Sequence, residues 1–249
     1  MVSFAETLIL SAVMGFSIYL SLPLVLRKDS SMNKTKLLNA IAIGILIFLM
    51  GDVFSDVSPT LYNGSLYGYG TSAYYDAIFA ISLTFGFMLL YFFENRSKSG
   101  LTPTRLSLLI ALGIGFQNLT EGLVFGALGV AIGLTGAALV VFVGFTLQNV
   151  TEGFPIASPF LGVLDRRLGM IMALFLIGGV PTIIGGAVGF YYNSTIFDII
   201  FDGVAIGTIL YVILPMLKLL FKENDLMRQR IAYLGVFIGF AIGFLVNLI

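Results

Sequence analysis

The sequence predicts an all-α integral membrane protein of eight transmembrane helices arranged as an inverted repeat. Two observations set the class. Apolar residues make up 58% of the chain and charged residues 10%, with a mean hydropathy of +1.03, whereas charged residues alone reach about a quarter of an ordinary soluble domain. Crossing about 30 Å of hydrocarbon takes roughly 20 apolar residues as a helix, and stretches of that length recur along the whole chain. A third observation sets the symmetry: one polar hexapeptide occurs twice, as QNLTEG over 117–122 and as QNVTEG over 148–153.

The segments follow in order. The first, residues 4–26, has no basic residue before it and Arg27 and Lys28 after it, the reverse of the charge order in a cleavable signal, so it reads as a retained helix. RKDSSMNKTK separates it from the second, 36–57, and SPTLYNGSLYGYGTS leads to the third, 73–94. NRSKSGLTP precedes the fourth, 104–127, and the short turn GLTGA joins that to the fifth, 132–157, so these two run antiparallel. LDRRLG introduces the sixth, 168–191, where ALFLIGGVPTIIGGAVGF shows none of the alternation of a membrane-spanning strand. The seventh covers 197–220 and the eighth, after FKENDLMRQR, covers 230–249. Together they form one transmembrane domain over residues 1–249, with no soluble domain.

The 13 basic residues all fall on one face of this arrangement. Arg27, Lys28, Lys34 and Lys36 lie between helices 1 and 2, and Arg96, Lys98 and Arg105 between helices 3 and 4. Arg166 and Arg167 follow helix 5, while Lys218, Lys222, Arg228 and Arg230 lie around the joint between helices 7 and 8. The opposite face has none, so the positive-inside tendency places both termini outside a multi-pass protein of the cell (plasma) membrane. No basic residue sits mid-helix, which sets aside a retinal-binding photoreceptor. The chain has no Cys, His or Trp, so disulfides, thiolates and imidazoles play no part.

Several acids, by contrast, fall inside the helices, where each is a functional candidate because burying a charge costs several kcal/mol. Glu121 and Glu152 are the deepest. Within each hexapeptide Gln and Glu stand four residues apart and Asn and Glu three apart, so all three share one helical face. Six polar side chains, Gln117, Asn118, Glu121, Gln148, Asn149 and Glu152, are thus expected to converge between two antiparallel helices, the geometry of an inverted-repeat transporter site. A divalent cation would cancel the two carboxylates while amide oxygens completed an oxygen-rich shell. The glycines nearby, Gly115, Gly122, Gly126, Gly144 and Gly153, are expected to allow close packing, and Pro155 to break or kink helix 5 just after Glu152. Asp52 and Asp56 at the outer end of helix 2, with Asp198 and Asp202 at the start of helix 7, could gather cations at an outer mouth, Asp52 and Asp202 being the deepest. Ordinary solvated helix ends account for the four aspartates equally well, and interhelical hydrogen bonding is the competing explanation for the amides.

The paired hexapeptides resemble the metal-binding motifs of the ZIP divalent-metal transporters, H-N-x-P-E-G on helix 4 and H-[ED]-x-P-E-G on helix 5. Helix number, topology and motif position match that family over the whole chain, as does GILIFLMGDVFSDVSP, which is similar to its glycine-rich second helix. The resemblance implies a ZIP-like 3+2+3 helical bundle with the six named residues as metal site. This sequence departs from the family pattern where both histidines are Gln, both motif prolines are Thr120 and Thr151, and helix 7 reads GVAIGTILYVILP, without a deep acid. An all-oxygen site suits manganese or ferrous iron beside the zinc that the resemblance implies.

The expected function is therefore inward movement of a divalent metal cation by alternating access. The metal (Zn, Mn or Fe) is the transported substrate rather than a cofactor, and no enzymatic activity is expected. The rivals are a secondary transporter of a non-metal solute and an intramembrane aspartyl protease using two of the four aspartates. Expected partners are divalent metal ions and the lipid bilayer, with no nucleic acid, and a homodimer is left open.

Overall fold

The computed structural model describes residues 2–25, 32–62, 73–95, 102–161, 163, 168–192, 194–222 and 225–248. Among the described residues eight helices are long and apolar enough to cross a membrane, and no strand occurs. The chain is an all-α membrane protein. Helix α1 (Phe4–Phe16) starts at a reciprocal cap, the Ser3 hydroxyl accepting from the Glu6 amide at 3.3 Å and the Glu6 carboxylate accepting from the Ser3 amide at 2.7 Å. It tightens into a 3-10 stretch (Ser17–Ser21) before one last turn (Leu22–Val25). Pro23 is the local cause: it has no N–H for the Tyr19 carbonyl, which Leu22 takes instead, while the Ser17 and Ser21 hydroxyls donate to Met14 and Ile18 carbonyls.

The remaining spans are α2 (Met32–Leu61), α3 (Ala73–Asn95), α4 (Pro103–Ile132), α5 (Gly136–Ala157), α6 (Leu168–Tyr191), α7 (Thr195–Leu220) and α8 (Leu226–Asn247). Thr102 caps α4 with Pro103 in its first turn, and the Asp225 carboxylate caps α8 by accepting from the Met227 amide at 2.9 Å. Both ends of α2, the end of α4 and the start of α8 reach four or five residues beyond the apolar segments. Hydropathy marks the part of a helix that needs lipid, whereas backbone hydrogen bonding continues into the polar interface. Helix α5 runs through Pro155 without breaking there, ends at Ala157 and passes into the 3-10 turn Ser158–Phe160. Of the basic residues, Arg27, Lys28, Arg96, Lys98, Arg166 and Arg167 lie outside the described residues. Lys34, Lys36, Arg105, Arg228 and Arg230 stand in the first turns of α2, α4 and α8, and Lys218 and Lys222 close α7. That side of the bundle is called the basic end below, and the other, where Asp56 and Asp198 lie, the acidic end.

Packing divides the helices into two groups. Helix α4 packs most extensively on α6, with α1 and α5 beside them, while α2 packs on α8 and α3 on α7. Exchanging α1–α3 with α6–α8, and α4 with α5, maps the α2–α8 pair onto the α7–α3 pair, as an inverted repeat requires. The groups meet where α7 crosses α4 and, less extensively, where α2 crosses α5. Inside the groups glycines let backbones touch. A methyl group built on Gly122 would lie 2.2 Å from the Thr182 carbonyl oxygen, on Gly44 2.1 Å from that of Val236, and on Gly207 2.1 Å from that of Leu83. Gly126 and Gly153 are similarly confined and Gly115 less so, its added methyl 2.8 Å from the Ile177 carbonyl oxygen, but Gly144 faces open space, so the packing role expected of it does not hold.

The buried apolar core is asymmetric along the membrane normal. Its main cluster joins Leu46 and Leu49 of α2, Ile110 and Ile114 of α4, Phe154 and Ile156 of α5, and Val212 and Ile213 of α7. Every one lies on the basic-end side of the motif residues. Toward the acidic end, among the described residues, two small clusters remain, around Val53 and Ala205 and around Val57 and Ile199. The outside of the bundle is apolar instead, with Ile81, Phe85, Phe92 and Phe237 well exposed, as lipid contact demands.

Candidate functional site: a buried carboxylate and amide network

Helices α4 and α5 carry the two hexapeptides past each other at the level where the main apolar core ends. All six motif residues are buried, none more than 6% exposed. Five are joined by hydrogen bonds. The four-residue spacing brings the Gln117 amide nitrogen to Glu121 Oε1 at 3.2 Å, and the same nitrogen donates across the interface to Glu152 Oε1 at 3.2 Å. Asn118 donates to Asn149 Oδ1 and to the Gly178 carbonyl of α6, both at 2.9 Å. Asn149 in turn donates to Glu121 Oε2 at 3.2 Å and to the Phe145 carbonyl at 3.0 Å.

The network has more acceptors than donors. Gln117 Oε1, Asn118 Oδ1 and Glu152 Oε2 are buried with no hydrogen-bond partner, and a buried acceptor left unpaired costs roughly 1–3 kcal/mol. Among the described residues no basic side chain pairs with either glutamate. Nor do three or more Asp, Glu, His or Cys side chains gather as a ligand cluster, so the donor set consists of two carboxylates and amide oxygens.

Gln148 stands apart from the other five. Its amide nitrogen donates to Asp52 Oδ2 of α2 at 3.3 Å, and Asp52 Oδ1 accepts from Asn247 of α8 at 2.6 Å. Asp52 therefore ties α5 of one helix group to α2 and α8 of the other. The remaining aspartates continue from there. Asp52 and Asp56 are close enough to act electrostatically on Glu121. Asp202 is buried beside Thr120, and Asp56 and Asp198 act on it in turn. Asp56 is exposed and Asp198 half-buried, so carboxylates lead from the surface of the acidic end to the glutamates. Asp202 belongs to the outer start of α7, and the sequence of α7 does not disclose that it meets Thr120, the residue before Glu121 on α4. Asn247 was likewise invisible, because nothing in a lone Asn at a helix end marks its partner.

Eight membrane-crossing helices around this buried network define a polytopic helical membrane protein with a polar site inside its bundle. No protein-family model matches the chain, and no curated protein matches it.

Proposed function

We propose that the protein is a transporter of divalent metal cations, which bind between α4 and α5 and pass between the acidic and basic ends by alternating access. The observation that supports this best is the surplus of buried oxygen at the motifs: two carboxylates without a basic partner and three acceptors without a donor. Burying two unpaired carboxylates is costly, and one dication cancels both. The Gln117 amide nitrogen occupies the position a bridging cation would take, 3.2 Å from an oxygen of each glutamate. A cation entering there would displace the Gln117 amide nitrogen, and Oε1 of the same side chain, buried without a hydrogen-bond partner, could then turn toward the ion as a ligand.

The resemblance of the paired motifs to those of ZIP transporters supports the same reading and puts zinc among the candidates. The oxygen-only donor set favours manganese and ferrous iron. With the basic end in the cytoplasm, by the positive-inside tendency, both termini lie outside and Asp56, Asp198, Asp202 and Asp52 face incoming cations. In this reading transport runs inward across the plasma membrane.

The test is uptake of Zn, Mn, Fe(II), Cd, Mg and Ca into proteoliposomes by wild type, Glu121→Gln and Glu152→Gln. Saturable uptake of a transition metal, reduced at least about tenfold by either substitution, is expected, since even residues behind metal ligands are worth about 10- to 100-fold. Absence of uptake for every divalent ion, or uptake unchanged in both variants, refutes the reading.

A further inference from the structure

The two helix groups part at the acidic end, where the last turns of α4 face the start of α7. The crevice between them has a volume of about 260 Å³, and none of the six motif residues lines it. Leu123, Ala127 and Ala131 follow one another at one-turn intervals along its α4 wall, so it extends over about 12 Å of that helix. Its polar groups are gathered at one end. Tyr192 and Ser194, in the joint before α7, and Asp198, in the first turn of α7, line the surface end, whereas Leu123 and Val124 line the deep end. Asp198 shares a helix face with Asp202 one turn further in, and Asp202 meets Thr120, so that face of α7 is the one turned toward α4. Among the described residues no hydrogen bond or ion pair reaches the Asp198 carboxylate. Val124 and Phe197 are exposed, which opens the crevice sideways to lipid.

We propose that this crevice binds a phospholipid with a primary ammonium headgroup from the leaflet at the acidic end. The ammonium lies against Asp198, the phosphate among the Ser194 and Tyr192 hydroxyls, and one acyl chain along Leu123, Ala127 and Ala131. Polarity and charge decide between occupants. The crevice is polar at its outer end and apolar within, the same order as in a lipid entering from that leaflet. None of the 13 basic residues of the sequence belongs to a joint at this end, so no side chain there pairs with an anionic headgroup and Asp198 repels one. A metal ion would meet one carboxylate and otherwise hydrocarbon, fewer oxygens than a hard cation needs. A choline headgroup has no N–H to donate, whereas a primary ammonium makes charge-assisted hydrogen bonds to a carboxylate. The volume lies just below the roughly 300–1,000 Å³ of sites for small ligands, so it takes the headgroup and upper chain while the rest of the lipid remains in the bilayer. Because α4 and α7 belong to different helix groups, the bound lipid is a wedge in the seam between them. The inference is independent of metal transport.

The experiment uses the full chain purified in neutral detergent and titrates it with phosphatidylethanolamine, phosphatidylcholine or phosphatidylglycerol, reading bound lipid by native mass spectrometry. One phosphatidylethanolamine retained in preference to the other two lipids is expected. Asp198→Asn should lower its preference over phosphatidylcholine about fivefold, the upper value for a partly exposed ion pair. Ala127→Leu fills the crevice without changing its charge and should abolish retention of that lipid. Asp76→Asn, in the first turn of α3 at the same end but outside the crevice, should leave the preference unchanged. No preference for phosphatidylethanolamine in wild type, an equal loss in Asp76→Asn, or undiminished retention in Ala127→Leu overturns the proposal. A phosphatidylethanolamine carrying a photoreactive acyl chain tests wild type without any substitution. Adducts at Leu123 and Ala127 support the site, and adducts confined to the lipid-facing surface at Phe85 and Phe237 overturn it.

Discussion

Replacing Gly122 with Ala tests whether the backbones of α4 and α6 touch as closely as described. The added methyl would meet the Thr182 carbonyl oxygen at 2.2 Å, the Gly186 nitrogen at 2.8 Å and the Gly185 Cα at 3.0 Å, where ordinary contact begins at 3.4 Å. All three obstacles are backbone, so no side chain can turn aside and the helices must part by about 1 Å. Overpacking of this kind costs roughly 1–3 kcal/mol. The upper part of that range applies, because a gap of about 0.5–1 Å forfeits a quarter to a half of the dispersion between facing atoms. The same interface holds Gly126 and Gly189, each as tightly confined, so the loss extends along it. Gly144→Ala is the control: its methyl enters open space and gains about 0.5–1 kcal/mol of helix preference. Unfolding of both variants in mixed detergent should separate them by about 3 kcal/mol. Gly122 follows Glu121 directly, so metal uptake should fall in the first variant and persist in the second. A Gly122→Ala protein as stable as Gly144→Ala would refute the close approach of α4 and α6.

Other substitutions separate the roles of the polar groups. Asn118→Leu removes the donors to Asn149 Oδ1 and the Gly178 carbonyl, leaving two buried acceptors at roughly 1–3 kcal/mol each, a loss that detergent unfolding would register. Asp56→Asn and Asp198→Asn, at the exposed and half-buried positions of the acidic end, should each raise the KM of uptake several-fold with kcat little changed. That effect should shrink at high ionic strength, because exposed charges act over only about 10 Å at 0.1 M salt; equal effects at low and high salt would count against a gathering role for these aspartates.

The number of spans and their centres were legible in the sequence, because lipid imposes a length on every apolar run. The helix ends were not, since the interface imposes none. Within a motif, spacing was enough to place Gln117 against Glu121, the two being one helical turn apart. It misled for Gln148, which holds the equivalent position on α5 but bonds to Asp52. The two hexapeptides are nearly identical while their surroundings are not: 72% of the best apolar window of α4 is buried within the bundle, against 39% for α5. A side chain on α5 therefore finds its partner on whichever neighbour arrives, and α2 brings Asp52. Helix pairing was equally hidden, because hydropathy says that α2 and α8 cross the membrane and nothing about their crossing side by side.

The asymmetric core bears on how such a site can open. At the acidic end the contacts between the two helix groups near the site include Gln148 with Asp52, whose carboxylate also accepts from Asn247 within its own group, and the polar contact that crosses is worth about 0.5–1.5 kcal/mol. On the other side Leu46, Ile110, Phe154 and Ile213 stand between the glutamates and the basic end. Wetting each of these would cost roughly 1.5–3 kcal/mol, about 6–12 kcal/mol for the four. A path opened by flooding the core would have to meet that whole cost. Sliding the α1, α4, α5 and α6 group past the α2, α3, α7 and α8 group exchanges one apolar contact for another and meets little of it. The small residues along α4 and α6 keep the first group rigid while it moves, and the glycines that let α2 approach α8 and α3 approach α7 do so for the second. On the proposed transport function, alternating access would therefore be cheapest as displacement of two stiff halves, with the polar tie at Asp52 as the contact that breaks first.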